Sequence, residues 1–224
     1  MSDVDEHALR AAIVRAARHL EAAGHSPGTS GNVSARLGDA VLITPTGIPP
    51  AALEAADVVR LDAAGRPEPG GRAPSTEVPM HRALYRARPD AGAVVHCHSR
   101  FATVLACTRR SLPAVHYMIA AVGTREVPCA DYATFGSDAL SARILEVLGD
   151  GLGCLLANHG QIALGRDLDH AVRVAEEIEW LAEIHVRSLA LGGAVPLDDA
   201  AMEAVEARFR DGYGQPGGGG TRRS

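Results

Sequence analysis

Residues 91–98 read AGAVVHCH, an apolar run that ends on two histidines, His96 and His98, with one cysteine between them. In a β-strand, residues i and i+2 point to the same face, so both imidazoles would project together. Alone, the pair fits either two half-buried polar groups or two arms of a metal site. A second stretch, GCLLANHG (153–160), supplies what the first lacks. It reads as another apolar strand, closing on His159 and followed by Gly160, where a backbone can turn sharply beside a ligand. Three histidines at the ends of apolar strands can converge to give three nitrogen ligands and an open fourth position. That is the pattern of a catalytic zinc rather than a closed structural one.

Working outward, residues 3–23 have Leu9, Ile13, Val14, Ala17 and Leu20 at helical spacing. A glycine-rich polar stretch (25–36), a short apolar segment (40–44), a turn-rich TPTGIPP and a strand over 57–62 follow, then a loop by composition at 63–74. STEVPMHRALYRA (75–87) predicts a helix opening at Ser75, with Pro79 tolerated in its first turn. SRFATVLACT begins a helix, Ser137–Leu148 forms another, QIALG is a short strand, and 168–191 is the longest helix. Strands alternating with helices predict a single α/β domain over residues 1–213, a central mixed β-sheet flanked by helices. The tail, 214–224, is glycine-rich and is expected to be disordered.

Composition narrows the function. The chain has 224 residues, with 46% hydrophobic and 22% charged, enough for one sizeable core. No apolar run approaches the ~20 residues of a membrane span. The acidic N-terminus lacks a signal-peptide core, which predicts a cytoplasmic protein. A net charge of −5 argues against nucleic acid and anionic membrane as main partners. All 22 basic residues are arginine, so lysine Schiff-base chemistry and the lysine-dependent P-loop are both excluded. The four cysteines (Cys97, Cys107, Cys129, Cys154) are scattered and read as small buried hydrophobes.

His7, His19, His25, His81, His170 and His185 fall on helices or polar loops and read as solvated or hydrogen-bonded groups; His116 reads as structural. Glu77 lies in the first turn of the 75–87 helix, where an acid complements the dipole. Ser75 and Thr76 beside it offer hydroxyls and N–H groups to a phosphate. Gly28-Thr29-Ser30-Gly31-Asn32 has the composition of an anion nest, and Thr44-Pro45-Thr46-Gly47 repeats the theme. Each loop alone is a turn. Together, beside three histidines, they point to a phosphorylated substrate held without lysine.

The ordered set GTSGNVS, TPTG, STE, HCH, HYMIAAVG, DYATFGS and NHG resembles the class II aldolase/adducin superfamily over roughly residues 5–213, and is most similar to its L-fuculose-1-phosphate aldolase branch. The resemblance implies that His96, His98 and His159 bind zinc (Zn2+, one per subunit). It implies that Glu77 is an occasional fourth ligand and the acid/base. Gly31, Asn32, Thr46, Gly47, Ser75 and Thr76 fall where the family holds the substrate phosphate. Tyr117 matches a proton-donating tyrosine acting across a subunit boundary in a homotetramer. Phe209 and Tyr213 resemble a tail segment that closes over the aldehyde, and Asp131 stands where the branch has proline.

The implied reaction is retro-aldol cleavage of a ketose 1-phosphate, of the L-fuculose 1-phosphate type, to dihydroxyacetone phosphate and a short aldehyde such as lactaldehyde. The chemistry fits the residues: without lysine there is no iminium electron sink, and a metal can stabilise the developing charge instead. The rivals are an aldolase for 5-deoxypentulose or methylthioribulose 1-phosphate, a methylthioribulose-1-phosphate dehydratase, a pentulose-phosphate epimerase, an adducin-like binding module without a working site, and a fold whose histidines are core groups that bind nothing. The HYMIAAVG stretch disfavours the epimerase.

Overall fold

The computed structural model describes residues 3–210, with side chains from Glu6 onward. Tyr213 and the glycine-rich tail lie outside the described residues. The chain opens with α1 (Asp3–Ala22), whose Ile13, Val14, Ala17 and Leu20 are buried as their spacing predicts. Three strands follow: β1 (Asn32–Leu37), β2 (Ala40–Ile43) and β3 (Val59–Leu61). Next come α2 (Val78–Ala87), β4 (Ala93–Cys97) and α3 (Arg100–Thr108), then β5 (Leu112–Pro113), β6 (Glu126–Val127) and β7 (Cys129–Ala130). The chain continues through α4 (Asp138–Leu148), β8 (Gly153–Leu156), β9 (Gly160–Gly165), α5 (Leu168–Ser188) and α6 (Asp199–Arg210).

Seven strands form one sheet in the order β3-β2-β1-β4-β9-β8-β7. Every neighbouring pair is antiparallel except β7 with β8, so the sheet is mixed, as the alternation of elements predicts. Strand β4 lies at its centre and is buried at all five positions. Ala93, Val95 and Cys97 enter the core shared with α1, α3 and α5. Val94 enters a second core shared with α2 and α4. Burying a valine contributes ~1.5–3 kcal/mol, so β4 is anchored from both faces.

That two-sided burial decides where the chemistry sits. His96 shares the face of Val94, towards α2, because strand side chains alternate. Asn32 is paired with His96 across β1 and β4, and Ser34 with Val94. Val33 and Ala35 of β1 belong to the opposite core. The polar residues of β1 therefore face α2, and its apolar residues face α1 and α5.

Several boundaries differ from the sequence reading. The polar stretch 25–36 conceals β1, whose N-V-S-A-R-L alternation carries one apolar and one polar face. Helix α2 begins at Val78, with Glu77 as its N-cap residue, because Ser75 and Thr76 are drawn into a turn. The run before His159 ends as a strand at Leu156, and Asn158 turns the chain with a left-handed φ of 55°. HYMIAAVG forms a 3-10 helix, Tyr117–Val122, and α5 gives way to a 3-10 turn at Leu189–Leu191. Helix α6 was not foreseen. Cys97 and Cys154 are buried as expected, whereas Cys129 is half-buried and Cys107 is exposed on α3.

Candidate functional site

The three histidines meet at one end of the sheet. His96 comes from β4, His98 from the step between β4 and α3, and His159 from the turn between β8 and β9. Their ligand nitrogens lie within 4.8 Å of one another. The three rings stand edge to face, with centroids 4.7–4.9 Å apart. Gly160 makes the approach possible, since a Cβ there would fall 2.5 Å from the Cys97 carbonyl oxygen and 2.8 Å from the His98 ring. Helix α3 is fixed behind His98 by Glu179 of α5, whose carboxylate accepts the Phe101 and Ala102 N–H groups at 2.9 Å. A carboxylate placed on a helix N-terminus suits its dipole.

The tautomer of His96 follows from its partner. Nδ1 lies 2.8 Å from the Gln161 carbonyl oxygen, which only accepts, so Nδ1 carries the hydrogen. In the neutral ring, Nε2 then offers a lone pair. It faces His98 Nε2 at 3.0 Å and Glu77 Oε2 at 3.2 Å. Burial, with the neighbouring His96, lowers His98 and His159 to about 4, so both are neutral at pH 7. Glu77 Oε1 is buried without a hydrogen-bond partner and lies 3.4 Å from His159 Nε2. His96 Nε2 and the Glu77 carboxylate are acceptors, and the neutral His98 and His159 rings can each present a lone pair beside them. A cation stabilises this arrangement, which fits a metal with three imidazoles and an open side.

Glu77 reaches this cluster from the N-cap of α2 and is only 7% exposed. Burial works to raise its carboxyl, but His96, the Asn32 amide and His159 outweigh that and hold it well below the usual carboxylate range. Asn32 Nδ2 donates to Glu77 Oε2 at 2.9 Å. Behind Asn32 lies His81, which sequence reasoning left among the solvated or hydrogen-bonded histidines. It is fully buried and bonded through both ring nitrogens, to Asn32 Oδ1 and to Ser34 Oγ. Its position at i+4 from Glu77, on the same helical face, was the available signal.

In front of the cluster opens a cavity of about 310 Å³. It brings together Gly31, Asn32, Thr46, Ser75, Thr76, Glu77, His98 and His159, residues drawn from all three polar loops. Thr29, Ser30 and Pro45 also line it. The loops are laced together by backbone: Ser75 N–H donates to the Thr44 carbonyl and Thr46 N–H to that of Ala73. The expected helix N-terminus at Ser75 is corrected by these bonds. Glu77 N–H donates to Ser75 Oγ and Val78 N–H to the Ser75 carbonyl, so these two N–H groups close the turn before the helix, and Thr46, Ser75 and Thr76 line the cavity from these loops. Gly31 holds a φ of 86°, and a Cβ there would meet Ser26 Oγ at 2.6 Å.

Gly47 and Tyr117 do not line this cavity. Gly47 follows Thr46 on its exposed side, and Tyr117 lies on the 3-10 helix, 40% exposed, with its ring 4.5 Å from that of His116. The cavity mouth instead carries Tyr132 and Phe135, 55% and 64% exposed, together with Asn158. Asp131, at the end of β7, is exposed, and nothing in the structure explains the choice of residue there.

The geometry has counterparts. The family described as the class II aldolase and adducin N-terminal domain matches residues 11–186. The chain is 43% identical over 203 residues to a 5-methylthioribulose-1-phosphate/5-deoxyribulose-1-phosphate aldolase of Rhodospirillum rubrum, covering 91% of both chains. It is 40% identical over 208 residues to the L-fuculose phosphate aldolase of Escherichia coli K12, covering 92% of this chain and 96% of that one. A solved L-fuculose 1-phosphate aldolase superposes with a TM-score of 0.88 at 34% identity, over 94% of this chain and 98% of the other. Among the described residues, no helix is long and apolar enough to cross a membrane.

Proposed function

The chain belongs to the class II aldolase and adducin family and is an aldolase, and we propose that it cleaves a ketose 1-phosphate to dihydroxyacetone phosphate and a short aldehyde. The observation that carries this reading is one cavity with two walls: converging imidazoles and Glu77 on one side, and the Gly31–Asn32, Thr46 and Ser75–Thr76 loops on the other. His96, His98 and His159 would hold a zinc ion, which supplies Lewis-acid stabilisation of charge at the ketone oxygen. The hydroxyls of Thr46, Ser75 and Thr76 and the Asn32 amide hold the phosphate, with Gly31 and Gly47 shaping the loops. In cleavage the C3–C4 bond breaks, its electron pair stays on C3, and the C4 hydroxyl gives up its proton as the aldehyde leaves. Glu77, ionised at rest, takes up a proton from water in the cavity and delivers it to C3 as the acid/base, while the proton shed at the C4 oxygen returns to water, so that none is gained or lost.

Tyr117 serves the proton at the C4 oxygen from a neighbouring subunit. Its exposure, away from its own chain's cavity, supports a homotetramer with sites at subunit boundaries. Phe209 belongs to the segment that closes over the aldehyde. The protein would act in the cytoplasm. The exposed rings of Tyr132 and Phe135 at the cavity mouth favour an aldehyde half with an apolar end, a methyl or methylthio group. L-Fuculose 1-phosphate, 5-deoxyribulose 1-phosphate and methylthioribulose 1-phosphate all meet that description, and the relatives named for them are similarly close.

The test is dihydroxyacetone phosphate release from these three sugars by purified protein, before chelation, after it, and after zinc is restored. Release that chelation abolishes and zinc restores is the expected result, and the relative kcat/KM values assign the substrate. Loss of water from the sugar, or silence with all three in zinc-loaded protein, would overturn the reading.

A further inference from the structure

Beneath the site runs a buried chain of hydrogen bonds with a fixed direction. Glu77, an ionised carboxylate, only accepts, so the Asn32 atom facing it at 2.9 Å is the donating nitrogen. Asn32 Oδ1 therefore faces His81 Nε2, which must carry the hydrogen. In the neutral ring, Nδ1 is then an acceptor, and its neighbour at 2.7 Å, Ser34 Oγ, must donate to it. With its hydrogen so engaged, Ser34 Oγ accepts from the Tyr85 hydroxyl at 2.9 Å. Burial lowers His81 to about 3, which keeps the ring neutral. Asn32, Ser34, His81 and Tyr85 are all buried, with Ser34 and His81 at 0% exposure, so solvent does not compete for the links to the His81 ring.

We propose that His81 is a positioning residue of the reaction, which locks the Asn32 amide so that its nitrogen holds Glu77 Oε2 and leaves Oε1 turned towards the histidine cluster. The proposal rests on Glu77 being the acid/base. A side-chain amide has two orientations of nearly equal shape. One offers Glu77 a donor, the other a repelling oxygen. His81 Nε2–H selects the first, because only an oxygen can face it. Oε1 is the buried, unpartnered atom of the carboxylate, so the direction in which it points is set by what Oε2 is tied to.

Two readouts test this. In metal-free protein, the Asn32 side-chain amide should give a resolved, slowly exchanging 15N–1H pair that shifts in Glu77→Gln. His81→Phe should lose that ordered pair. On whichever of L-fuculose, 5-deoxyribulose and methylthioribulose 1-phosphate gives the highest kcat/KM, His81→Phe should lower kcat by roughly tenfold while KM changes by less than about threefold, since Oε1 acts in the chemical step. In an Asn32→Ala background the same substitution should add little, whereas a merely structural role would multiply the two losses.

Should His81→Phe fail to fold, Ser34→Ala keeps the ring but frees its tautomer. It should disorder the same amide and lower kcat in the same direction by a smaller factor. An unchanged amide pair in either folded variant, or multiplicative losses, would overturn the proposal. A wild type that cleaves no ketose phosphate yet loses the amide pair in His81→Phe would refute the acid/base reading while upholding the lock on the amide.

Discussion

Two fully buried histidines lie on the same side of the sheet and do opposite things. His81 has a partner at each ring nitrogen, and both bonds are to protein atoms of complementary polarity. His96 is bonded at Nδ1, but its Nε2 faces another imidazole nitrogen and a carboxylate oxygen. Burial is the same, 0% exposed in each case. What differs is whether the polar demand is met from within the chain. A satisfied buried ring stabilises a local arrangement, and an unsatisfied one marks a place for something the chain itself does not supply.

The hardest blow to this contrast falls on the unsatisfied side. His96→Ala leaves two imidazoles, removes the ring tied to Gln161, and should abolish tight metal binding. Several kcal/mol of charge stabilisation go with the metal, so kcat should fall by ~10³-fold or more. Metal content per chain after dialysis, measured beside activity, checks it. A variant that retains stoichiometric zinc and activity would end the ligand assignment. Glu77→Gln comes next, with a loss of at least ~10²-fold in kcat while the bound metal is retained. Equal losses in metal content and rate would reduce Glu77 to a ligand alone.

The unsatisfied side was also the more legible one. His96, His98 and His159 stood at the ends of apolar runs, Glu77 in the first turn of an expected helix, and the three loops stood out by their small polar composition, while the mixed α/β sheet followed from alternation. The satisfied side was not. His81 looks like any helical histidine until β1 is known to pair with β4, because the partners Asn32 and Ser34 are 49 and 47 residues away in sequence. Strand β1 itself was hidden by the polar loop preceding it, and the start of α2 was misplaced because the bonds from Ser75 N–H to the Thr44 carbonyl and from Val78 N–H to the Ser75 carbonyl capture the turn before it. Tyr117 marks a different limit: the role proposed for it would depend on a second chain, and no single-chain pattern carries that.

The satisfied histidine predicts a pH response. Burial depresses His81 to about 3 against an unfolded value near 6.5, with the Glu77 carboxylate opposing. Sign follows from proton counting. Between these two values the unfolded chain holds the extra proton, so stability is full above about pH 6.5 and falls as pH drops. At its steepest the loss is ~1.4 kcal/mol per pH unit, about a decade in the folding equilibrium. Urea unfolding of metal-free protein from pH 7 to 4 measures it. The slope in His81→Phe should be shallower than in wild type, and equal slopes would mean that the ring titrates normally and is not held neutral.

Tyr85→Phe should give the smallest effect, and its smallness is the point. The Tyr85 hydroxyl heads the chain and donates to Ser34 at 2.9 Å, while Ser34 keeps its bond to His81 without it. Losing one neutral hydrogen bond costs about 1 kcal/mol, and Ser34 Oγ is left as an under-used acceptor rather than a stranded donor. The His81 tautomer does not depend on Tyr85, because the Ser34 hydrogen still has Nδ1 as its buried acceptor. Stability should therefore fall by about 1 kcal/mol in urea unfolding, and kcat should stay within about twofold of wild type. A large kcat loss would mean that order in the network is set from Tyr85 inward, and that orientation at the carboxylate is a property of the whole chain of bonds rather than of the ring that touches Asn32.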